Sequence, residues 1–241
     1  MSKIDLYGDG IGHVELVSVM GSDLTVVNSA RVSFGEHKEQ LEEKDGKLID
    51  YLVGHRHTST LEHCLMTFRF KVPLYIRSQH HRHRTWSYNE ISRRYTSVNL
   101  EFYEPSEFRT QHKSNRQASC SMTPTCNPEV IFGTEAWGAS ESADILIKRH
   151  HANSIELFEA LLQSGVCREQ ARGVLPQNLY TEYYGTVDLN NLLKFVDLRA
   201  HEGAQWEIQL VAKACLIFAE RAFPITVSSY QKHFVRPRKL T

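Results

Sequence analysis

The chain has 241 residues, and its 28 lysines and arginines balance its 28 aspartates and glutamates, which gives a formal net charge of zero. This balance argues against a protein whose main work is to coat nucleic acid, because such proteins usually carry a basic excess. No apolar run approaches the roughly 20 residues that cross a bilayer, and the first residues lack a signal-peptide pattern. We therefore expect a cytoplasmic protein built as one mixed domain over residues 1–241.

In the first half of the chain, hydrophobic patterns predict a strand over residues 13–19, a helix near 24–30, a second helix from about 38 to 53 and an extended segment over 62–72. The extended segment alternates with a period of two, which is typical of a strand with one buried face: Met66, Phe68 and Phe70 against Leu65, Thr67 and Arg69. After this strand we predict a helical turn that leads into an irregular loop.

Residues 109–142 are rich in Ser, Thr, Asn, Gln, Pro and Gly and show no period, so we predict a long surface excursion, with a lid as one interpretation. Beyond it, residues 178–187 are predicted to form a strand, and Asp188 to cap the helix that follows. Helical spacing predicts two further apolar faces: Ile155, Phe158, Leu161 and Leu162 on one, and Ile208, Val211, Cys215, Phe218 and Ala222 on the other.

The five cysteines include no CxxC pair, which is typical of reduced thiols rather than of a disulfide framework. Cys215 lies on an apolar helix face, so we interpret it as a packing residue. Cys120 and Cys126 share a loop, but five residues separate them and no second pair follows. We therefore predict no metal site.

Residues 82–95, RHRTWSYNEISRRY, contain four arginines and hardly any aliphatic side chain. Such a segment offers too little apolar surface for a core element and too many fixed donors for an ordinary loop. Guanidinium groups hold oxyanions through paired, charge-assisted hydrogen bonds, so the segment indicates an anionic ligand, with phosphate the first candidate. A surface cluster of ion pairs is the weaker alternative, because Glu90 is the segment's single carboxylate. Trp86 and Tyr95 are interpreted as packing residues.

Within this segment, RHR, seven further residues and Ser92 resemble the RHR-x7-S signature of the flavin-dependent thymidylate synthases. Four other segments are similar to that family in the same order: ARVSF at 30–34, LEH at 61–63, LP-x-NLYT at 175–181, and LRA followed by AQWEIQ within 198–209. The resemblance covers nearly the whole chain except residues 109–145, which would then be a loop insertion.

The resemblance implies an enzyme that makes dTMP from dUMP, taking the one-carbon unit from 5,10-methylenetetrahydrofolate and using FAD reduced by NADPH, without a cysteine nucleophile. It also implies a mixed α/β (α+β) fold, with a central antiparallel-rich sheet flanked by helices. The expected assembly is a homotetramer whose active sites are shared between subunits. No nucleic-acid or membrane partner is expected.

The same resemblance assigns roles to individual positions. FAD contacts are expected from Ser33, His57, Ser59, Arg82, His83, Arg84, Glu90, Asp188, Asn190 and Lys194. Contacts to dUMP are expected from Gln79, Arg82, Glu90, Ile91, Ser92, Arg93, Arg94, Arg172 and Arg199. We predict Arg199 as the leading catalytic residue, because a permanent cation at the pyrimidine edge would stabilise charge that builds on the ring. A helix C-terminal cation that satisfies the helix dipole is the alternative.

Several alternatives remain open from the residues alone. Ser92 is expected to donate a hydrogen bond rather than to act as a nucleophile, since no neighbouring base is assured. The histidine-rich loop around His57 could instead hold a metal, but His55, His57 and His63 lack a carboxylate-rich shell, so a cofactor contact is the preferred interpretation. Asp188 can cap a helix without touching FAD, because an ionised carboxylate cannot donate. At the level of function, a module that binds single-stranded nucleic acid and a flavoprotein oxidoreductase without methyl transfer are the two rival hypotheses.

Overall fold

The computed structural model describes residues 2–105, 107–115, 119–120, 126–132 and 139–234. They divide into two compact units, one made of residues 2–71, 79–89 and 183–234, and one made of the described residues of 72–78 and 90–182. The prediction of one domain over residues 1–241 stays a prediction. Among the described residues, no helix is long and apolar enough to cross a membrane.

The strands are β1 (Lys3–Asp5), β2 (His13–Met20), β3 (Leu65–Pro73), β4 (Ser87–Glu90), β5 (Glu129–Phe132), β6 (Ala139–Ser142) and β7 (Tyr180–Asp188). The helices are α1 (Asp23–Arg31), α2 (Glu43–Gly54), α3 (Leu74–His80), α4 (Ala143–Gln163), α5 (Arg168–Ala171), α6 (Leu189–Arg199), α7 (Trp206–Ala222) and α8 (Pro224–Phe234). Short 3-10 segments lie at Val32–Phe34, Thr58–Leu61 and Arg172–Val174.

A five-stranded sheet with the order β1-β2-β3-β7-β4 carries the core of the first unit. β2 pairs antiparallel with both β1 and β3, and its register shifts between Leu16 and Ser18. On β3, Met66, Phe68 and Phe70 are fully buried, whereas the residues between them are partly exposed. The predicted period-two strand is therefore confirmed, as is a mixed α/β fold with an antiparallel sheet and helices.

Helix α2 begins at Glu43, five residues after the predicted start at residue 38. The reason is the buried Asp45, which accepts from Arg31 at 2.9 Å and from Lys38 at 2.8 Å. Because Lys38 turns inward to the carboxylate, residues 35–42 carry no helix or strand before α2 begins. Burial alone would raise the pKa of Asp45, but hydrogen bonds from Lys38, from the Glu42 N–H and from Arg31 lower it to about 2.

Helix α8 packs tightly on α2. A Cβ on Gly54 would lie 2.9 Å from the His233 ring, so the helices approach closely because this position is a glycine. Asp50 on α2 accepts from Lys232 at 2.8 Å and contacts His233 at 3.0 Å. At the other end, α8 starts at Pro224, whose missing N–H costs nothing at a helix start, and Asp23 accepts from the next two backbone N–H groups.

The predicted elements of the C-terminal half are confirmed: strand β7, the helices α4 and α7, and α6 with its cap. Asp188 accepts from the Asn191 N–H at 2.9 Å, which is the predicted N-cap. Cys215 is fully buried on α7, as expected of a packing residue.

The second unit has its own apolar core, in which Phe158 of α4 packs with Ala171, Leu175 and Leu179. Part of the predicted insertion at 109–145 forms the antiparallel pair β5 and β6. Residues 116–118, 121–125 and 133–138 of that insertion lie outside the described residues, and its role as a lid stays a prediction.

Two local predictions were wrong. The segment after α3 is not an irregular loop throughout, because Ser87–Glu90 forms strand β4 at the edge of the sheet. Tyr95 is not a packing residue, since 81% of it is exposed. Its N–H bonds to the Ser92 carbonyl at 3.0 Å, which closes a turn that leaves the Tyr95 side chain at the surface. Trp86, by contrast, is buried as predicted.

Candidate active site

Arg199 and His83 lie 116 positions apart in the sequence and meet in the first unit. Arg199 is the last residue of α6, and its Nε–H donates to Nε2 of His83 at 3.0 Å. Burial, together with the charge of Arg199, lowers the pKa of His83 to about 4. His83 is therefore neutral at physiological pH, with its proton on Nδ1, and it acts as an acceptor toward the predicted catalytic arginine.

An aromatic cluster supports the turn that carries His83. His80 is fully buried and its Nδ1 lies 2.8 Å from the Tyr183 hydroxyl. The Tyr88 hydroxyl donates to the carbonyls of His80, at 3.0 Å, and His83, at 3.2 Å. Burial lowers the pKa of His80 well below its ordinary value, so this ring is neutral as well. The turn is thus fixed by the Tyr88 hydroxyl at two backbone carbonyls and by the buried, neutral ring of His80.

The remaining predicted residues of this region differ in their surroundings. The Gln79 side-chain N–H donates to the amide oxygen of Gln205, and the Gln205 side-chain N–H donates to Glu207 at 3.0 Å. Arg82 and Arg84 are exposed. The glutamine is therefore held by the AQWEIQ segment, whereas the two arginines present their charge at the surface.

A cavity of about 840 Å³, here called the serine cavity, brings together three predicted FAD residues, Ser33, His57 and Ser59. Phe34 and Tyr51 also line it, and 82% of Phe34 is exposed. Flat rings that face open space inside a concave surface are typical of sites for planar ligands. The remaining lining residues include Ser29, Arg31, Leu52, Arg56, Thr58 and Thr60.

A second cavity in the same unit, here called the helix cavity, has a volume of about 280 Å³. It brings together two further predicted FAD residues, Asn190 and Lys194, on α6. Asn190 donates to Glu62 at 3.0 Å, which fixes its amide. Asp188 does not line this cavity, because its carboxylate caps α6 and accepts from the Asn191 amide at 2.6 Å. The other lining residues are Val53, Arg56, Thr58, Leu61, Leu193, Asp197, Tyr230 and Phe234.

The second unit contains a cavity of about 660 Å³, here called the arginine cavity, which brings together most of the predicted nucleotide residues. Those that line it are Glu90, Ile91, Ser92, Arg93 and Arg172. Arg94 is not part of the lining, and its guanidinium lies 3.7 Å from Glu169, which does line the cavity. The lining contains three arginines and two glutamates, so its formal net charge is positive, as a phosphate site requires.

Within the arginine cavity, the guanidinium of Arg93 is occupied by the backbone. It donates to the carbonyls of Val98 at 2.6 Å, Asn99 at 3.2 Å and Tyr180 at 3.3 Å. Burial lowers the pKa of Arg93. Its role is therefore to hold the loop beside Ser92, and its positive charge contributes to the cavity although its N–H groups are bonded to the backbone.

Ser92 has the surroundings of a donor. Its Oγ accepts from the Arg94 N–H at 3.3 Å, which leaves its own O–H to donate. Among the residues that the structure describes, no carboxylate or imidazole is hydrogen-bonded to this hydroxyl. A nucleophile needs such a base, so the geometry favours hydrogen-bond donation over nucleophilic attack.

Known proteins resemble this chain over almost its full length. The family described as "Thymidylate synthase complementing protein" matches residues 15–225. A flavin-dependent thymidylate synthase of Thermus thermophilus is 42% identical over 224 residues, covering 93% of this chain and 77% of that protein. One of Thermotoga neapolitana is 41% identical over 224 residues, covering 92% of each chain. The chain belongs to the flavin-dependent thymidylate synthase family.

A solved structure agrees with this assignment. The UMP/dUMP methylase PolB from Streptomyces cacaoi, bound with 5-Br dUMP, superposes with a TM-score of 0.75 at 31% identity, covering 95% of this chain and 97% of that one. The predicted family is thus confirmed. So are the enzyme class, an FAD-dependent methyltransferase, and FAD as its cofactor.

The residues of the first unit fit FAD. The serine cavity supplies hydroxyls and an imidazole beside the exposed rings of Phe34 and Tyr51, and the helix cavity supplies Lys194 and Asn190. A flavin dinucleotide presents flat rings, hydroxyls and a central diphosphate, so it needs aromatic surface, neutral donors and cations. This donor set contains all three kinds.

Sequence reasoning missed three residues that the cavities contain. Arg77 and Thr181 line the arginine cavity, where the Thr181 hydroxyl donates to Glu90 Oε1 at 2.6 Å and Arg77 Nε lies 3.1 Å from the same oxygen. Arg56 lines both cavities of the first unit. Arg77 lies five residues before the signature, Arg56 lies inside the histidine-rich loop and Thr181 ends the LP-x-NLYT segment. The available signals were therefore an unexplained arginine beside predicted site residues and a hydroxyl within a family segment.

Proposed function

We propose that the enzyme converts dUMP to dTMP, with 5,10-methylenetetrahydrofolate as the carbon donor and NADPH as the reductant of FAD. The observation that carries this proposal is the arginine cavity. Five residues predicted to bind the nucleotide line one concave surface with a net positive charge, although Arg172 is 80 positions from Ser92 in the sequence. Such a convergence is expected of a nucleotide phosphate site.

In this proposal the nucleotide phosphate is bound in the arginine cavity. The Ser92 hydroxyl and the exposed Arg172 guanidinium donate to its oxygens, and Arg93 adds charge from behind. Glu90 is the acceptor of the site, since a carboxylate can take a hydrogen bond from the nucleotide but not from the phosphate. The family resemblance further implies contacts to dUMP from Gln79, Arg82 and Arg94.

Arg199 acts on the pyrimidine. Its Nε–H is committed to His83, so its terminal N–H groups are the donors that can meet the ring. A guanidinium stays charged while negative charge builds on the pyrimidine, and it needs no proton transfer to do so. Neutral His83 fixes the orientation of this donor, which lowers the cost of organising it in the transition state.

FAD is held in this proposal by the serine and helix cavities, with Arg82, His83, Arg84 and Glu90 as further contacts. When bound and reduced, it supplies the hydride that completes the methyl group. Ser33, Ser59 and His57 orient the cofactor through hydrogen bonds, and Lys194 contributes charge. Asp188 acts indirectly in this scheme, because it caps the helix that positions Asn190 and Lys194.

We further propose a homotetramer with active sites shared between subunits. Exposed apolar residues on one strand support an assembly, since Val17, Val19 and Met20 of β2 are each at least 39% exposed. A stretch of this kind on a strand that pairs on both edges is typical of a covered surface. Light scattering of the purified chain would show the tetramer mass, and a monomer would contradict this part of the proposal.

The proposed activity is tested by anaerobic formation of dTMP from dUMP, methylenetetrahydrofolate and NADPH. A yellow protein that makes dTMP supports it, with Arg82→Ala assayed beside the parent. Reoxidation of reduced flavin without any dependence on dUMP would favour an oxidoreductase instead. Colourless protein that binds oligonucleotides in a salt-sensitive way would favour the nucleic-acid module.

A further inference from the structure

Helix α2 ends in a backbone geometry that ordinarily requires glycine. After the last helical residue, Gly54, the His57 N–H bonds to the Leu52 carbonyl at 2.8 Å and the Arg56 N–H to the Val53 carbonyl at 3.0 Å. This pair of bonds is the Schellman motif, whose residue after the cap adopts a left-handed conformation. That residue is Arg56, with φ of 59°.

A non-glycine residue is strained in this conformation, because its Cβ approaches the following carbonyl. Attraction between a cation and the helix dipole does not explain the choice, since an arginine at the preceding cap position, where His55 has φ of −93°, would serve the dipole without strain. Proteins retain backbone strain of this kind where it holds a side chain at a functional position.

The guanidinium of Arg56 lies over the ring of Phe234, 4.9 Å from its centroid. That ring is held in place because the neighbouring Lys232 and His233 both contact Asp50. The position of the guanidinium is therefore set at both ends, by the strained backbone and by the ring beneath it. A cation held in this way is organised before any ligand arrives.

Arg56 and Thr58 line both the serine cavity and the helix cavity. The two cavities therefore share one wall, and that wall carries a cation and a hydroxyl. A dinucleotide consists of two bulky ends joined by a diphosphate. A ligand with one end in each cavity would place its diphosphate at the shared wall.

We propose that Arg56 binds the diphosphate of FAD where the cofactor passes between the two cavities. The inference rests on the proposed function, because the predicted FAD residues Ser33, His57 and Ser59 line one cavity and Asn190 and Lys194 the other. Each cavity thus supplies contacts for one end of the cofactor, and Arg56 supplies the charge between them.

The test uses Arg56→Ala and Arg56→Gly in the full chain. Both remove the guanidinium, but only glycine also removes the backbone strain. Arg221→Ala is the matched control, since Arg221 also lies over an aromatic ring, that of Phe218 at 5.8 Å, and lines neither cavity. Dissociation constants are measured for FAD and for riboflavin, which has the flavin ring without phosphate. Thermal unfolding is measured at saturating FAD.

We expect both Arg56 variants to bind FAD about 10- to 100-fold more weakly than the parent and Arg221→Ala, the range of one charge-assisted hydrogen bond. Riboflavin binding should not change. The glycine variant should unfold about 2–4 °C above the alanine variant, because it is relieved of strain. Arg56→Lys, which keeps the charge, should recover part of the FAD affinity.

Two results would overturn the assignment. If Arg56→Gly binds FAD as tightly as the parent, the guanidinium is not a ligand. If riboflavin binding falls as much as FAD binding, Arg56 acts on the ring or on the fold and not on the diphosphate. A parent protein that binds no FAD at all would instead contradict the proposed function, so the two failures are distinguishable. A loss of NADPH binding with FAD binding intact would assign the site to the other dinucleotide and reject this proposal.

Discussion

The Nε–H of Arg199 donates to the neutral Nε2 of His83, and this bond joins the end of helix α6 to the middle of the RHR motif. The two residues were predicted for different tasks, Arg199 for the pyrimidine and His83 for FAD. Their contact means that the orientation of the cation depends on an imidazole that must stay unprotonated. Arg199 is also the last residue of α6, where its charge interacts favourably with the helix dipole. That interaction does not need His83.

The first prediction tests whether His83 acts through the hydrogen-bond acceptor at Nε2 or through the bulk of its side chain. His83→Gln retains an acceptor near Nε2, whereas His83→Leu has none. We expect kcat to fall about 10- to 100-fold in His83→Leu and much less in His83→Gln, since a hydrogen bond to a charged group is lost only in the former. Single-turnover kinetics at saturating dUMP and FAD would check this. Equal losses in both variants, at equal flavin content, would contradict the positioning role.

The second prediction concerns stability and pH. The pKa of His83 is lowered to about 4 from 6.5 by burial and by Arg199, and burial also lowers the pKa of His80. Between pH 6.5 and 4 these imidazoles are therefore protonated in the unfolded chain but not in the folded chain. The free energy of unfolding should fall as the pH drops from above 6.5 toward 4. Denaturant titrations at several pH values measure this. His83→Gln should show a shallower slope in that window, and an unchanged slope would contradict the assignment.

The third prediction concerns the chemical step. Arg199→Ala should retain FAD, because Arg199 lines neither cavity of the first unit, yet lose about 100- to 1000-fold in kcat, the usual cost of removing a donor that stabilises developing charge. Flavin absorbance and anaerobic dTMP formation would be measured together. Arg199→Lys keeps the charge but lacks the Nε–H that donates to His83, so only partial recovery is expected. Loss of FAD in the alanine variant would assign Arg199 to the cofactor.

The elements of this fold were predictable where one periodicity dominates. Strand β3 and helices α4 and α7 each carry an apolar face that a short window of sequence reveals. The start of α2 was not predictable in the same way, because it is set by Asp45, which recruits Arg31 and Lys38 from outside the helix. Strand β4 was missed because an edge strand of four residues, rich in polar groups, carries little periodic signal.

The candidate site was predictable as a set of positions but not as an arrangement. Resemblance to the family supplied the residues, and the structure added which of them share a surface. The resemblance did not point to Arg77, Thr181 or Arg56, because their contacts depend on backbone geometry and on partners far away in sequence, such as Phe234 for Arg56. The strained φ of Arg56 has no sequence pattern of its own.

The fourth prediction is that no cysteine is a nucleophile. Burial raises the pKa of the Cys64 thiol to about 11 and that of Cys215 further still, so neither forms a thiolate near neutral pH. Each single Cys→Ala variant should keep turnover within about twofold. Cys215→Ala should lose about 1 kcal/mol of stability, because a fully buried side chain is truncated. Loss of turnover in any one variant with flavin still bound would contradict the mechanism.

The fifth prediction concerns Glu90 in the arginine cavity. Arg77 and Thr181 both contact its Oε1, which leaves Oε2 to accept from the nucleotide. If Arg77 acts by orienting this carboxylate, Arg77→Gln should raise the KM for dUMP about 10-fold, with a smaller effect on kcat. Thr181→Val, which removes only the hydroxyl, should act in the same direction.

A double-mutant cycle decides whether Arg77 works through Glu90 or touches the nucleotide itself. In a Glu90→Gln background the carboxylate is gone, so a positioning residue has nothing left to orient and Arg77→Gln should change KM by less than about twofold. A direct phosphate ligand would instead lower affinity by the same factor in both backgrounds. A residue that only stabilises the fold would shift the thermal unfolding midpoint in both backgrounds and leave KM unchanged. Because the side chains of Arg77 and Glu90 are 29% and 25% exposed, the interaction is shielded enough to be measured in this way.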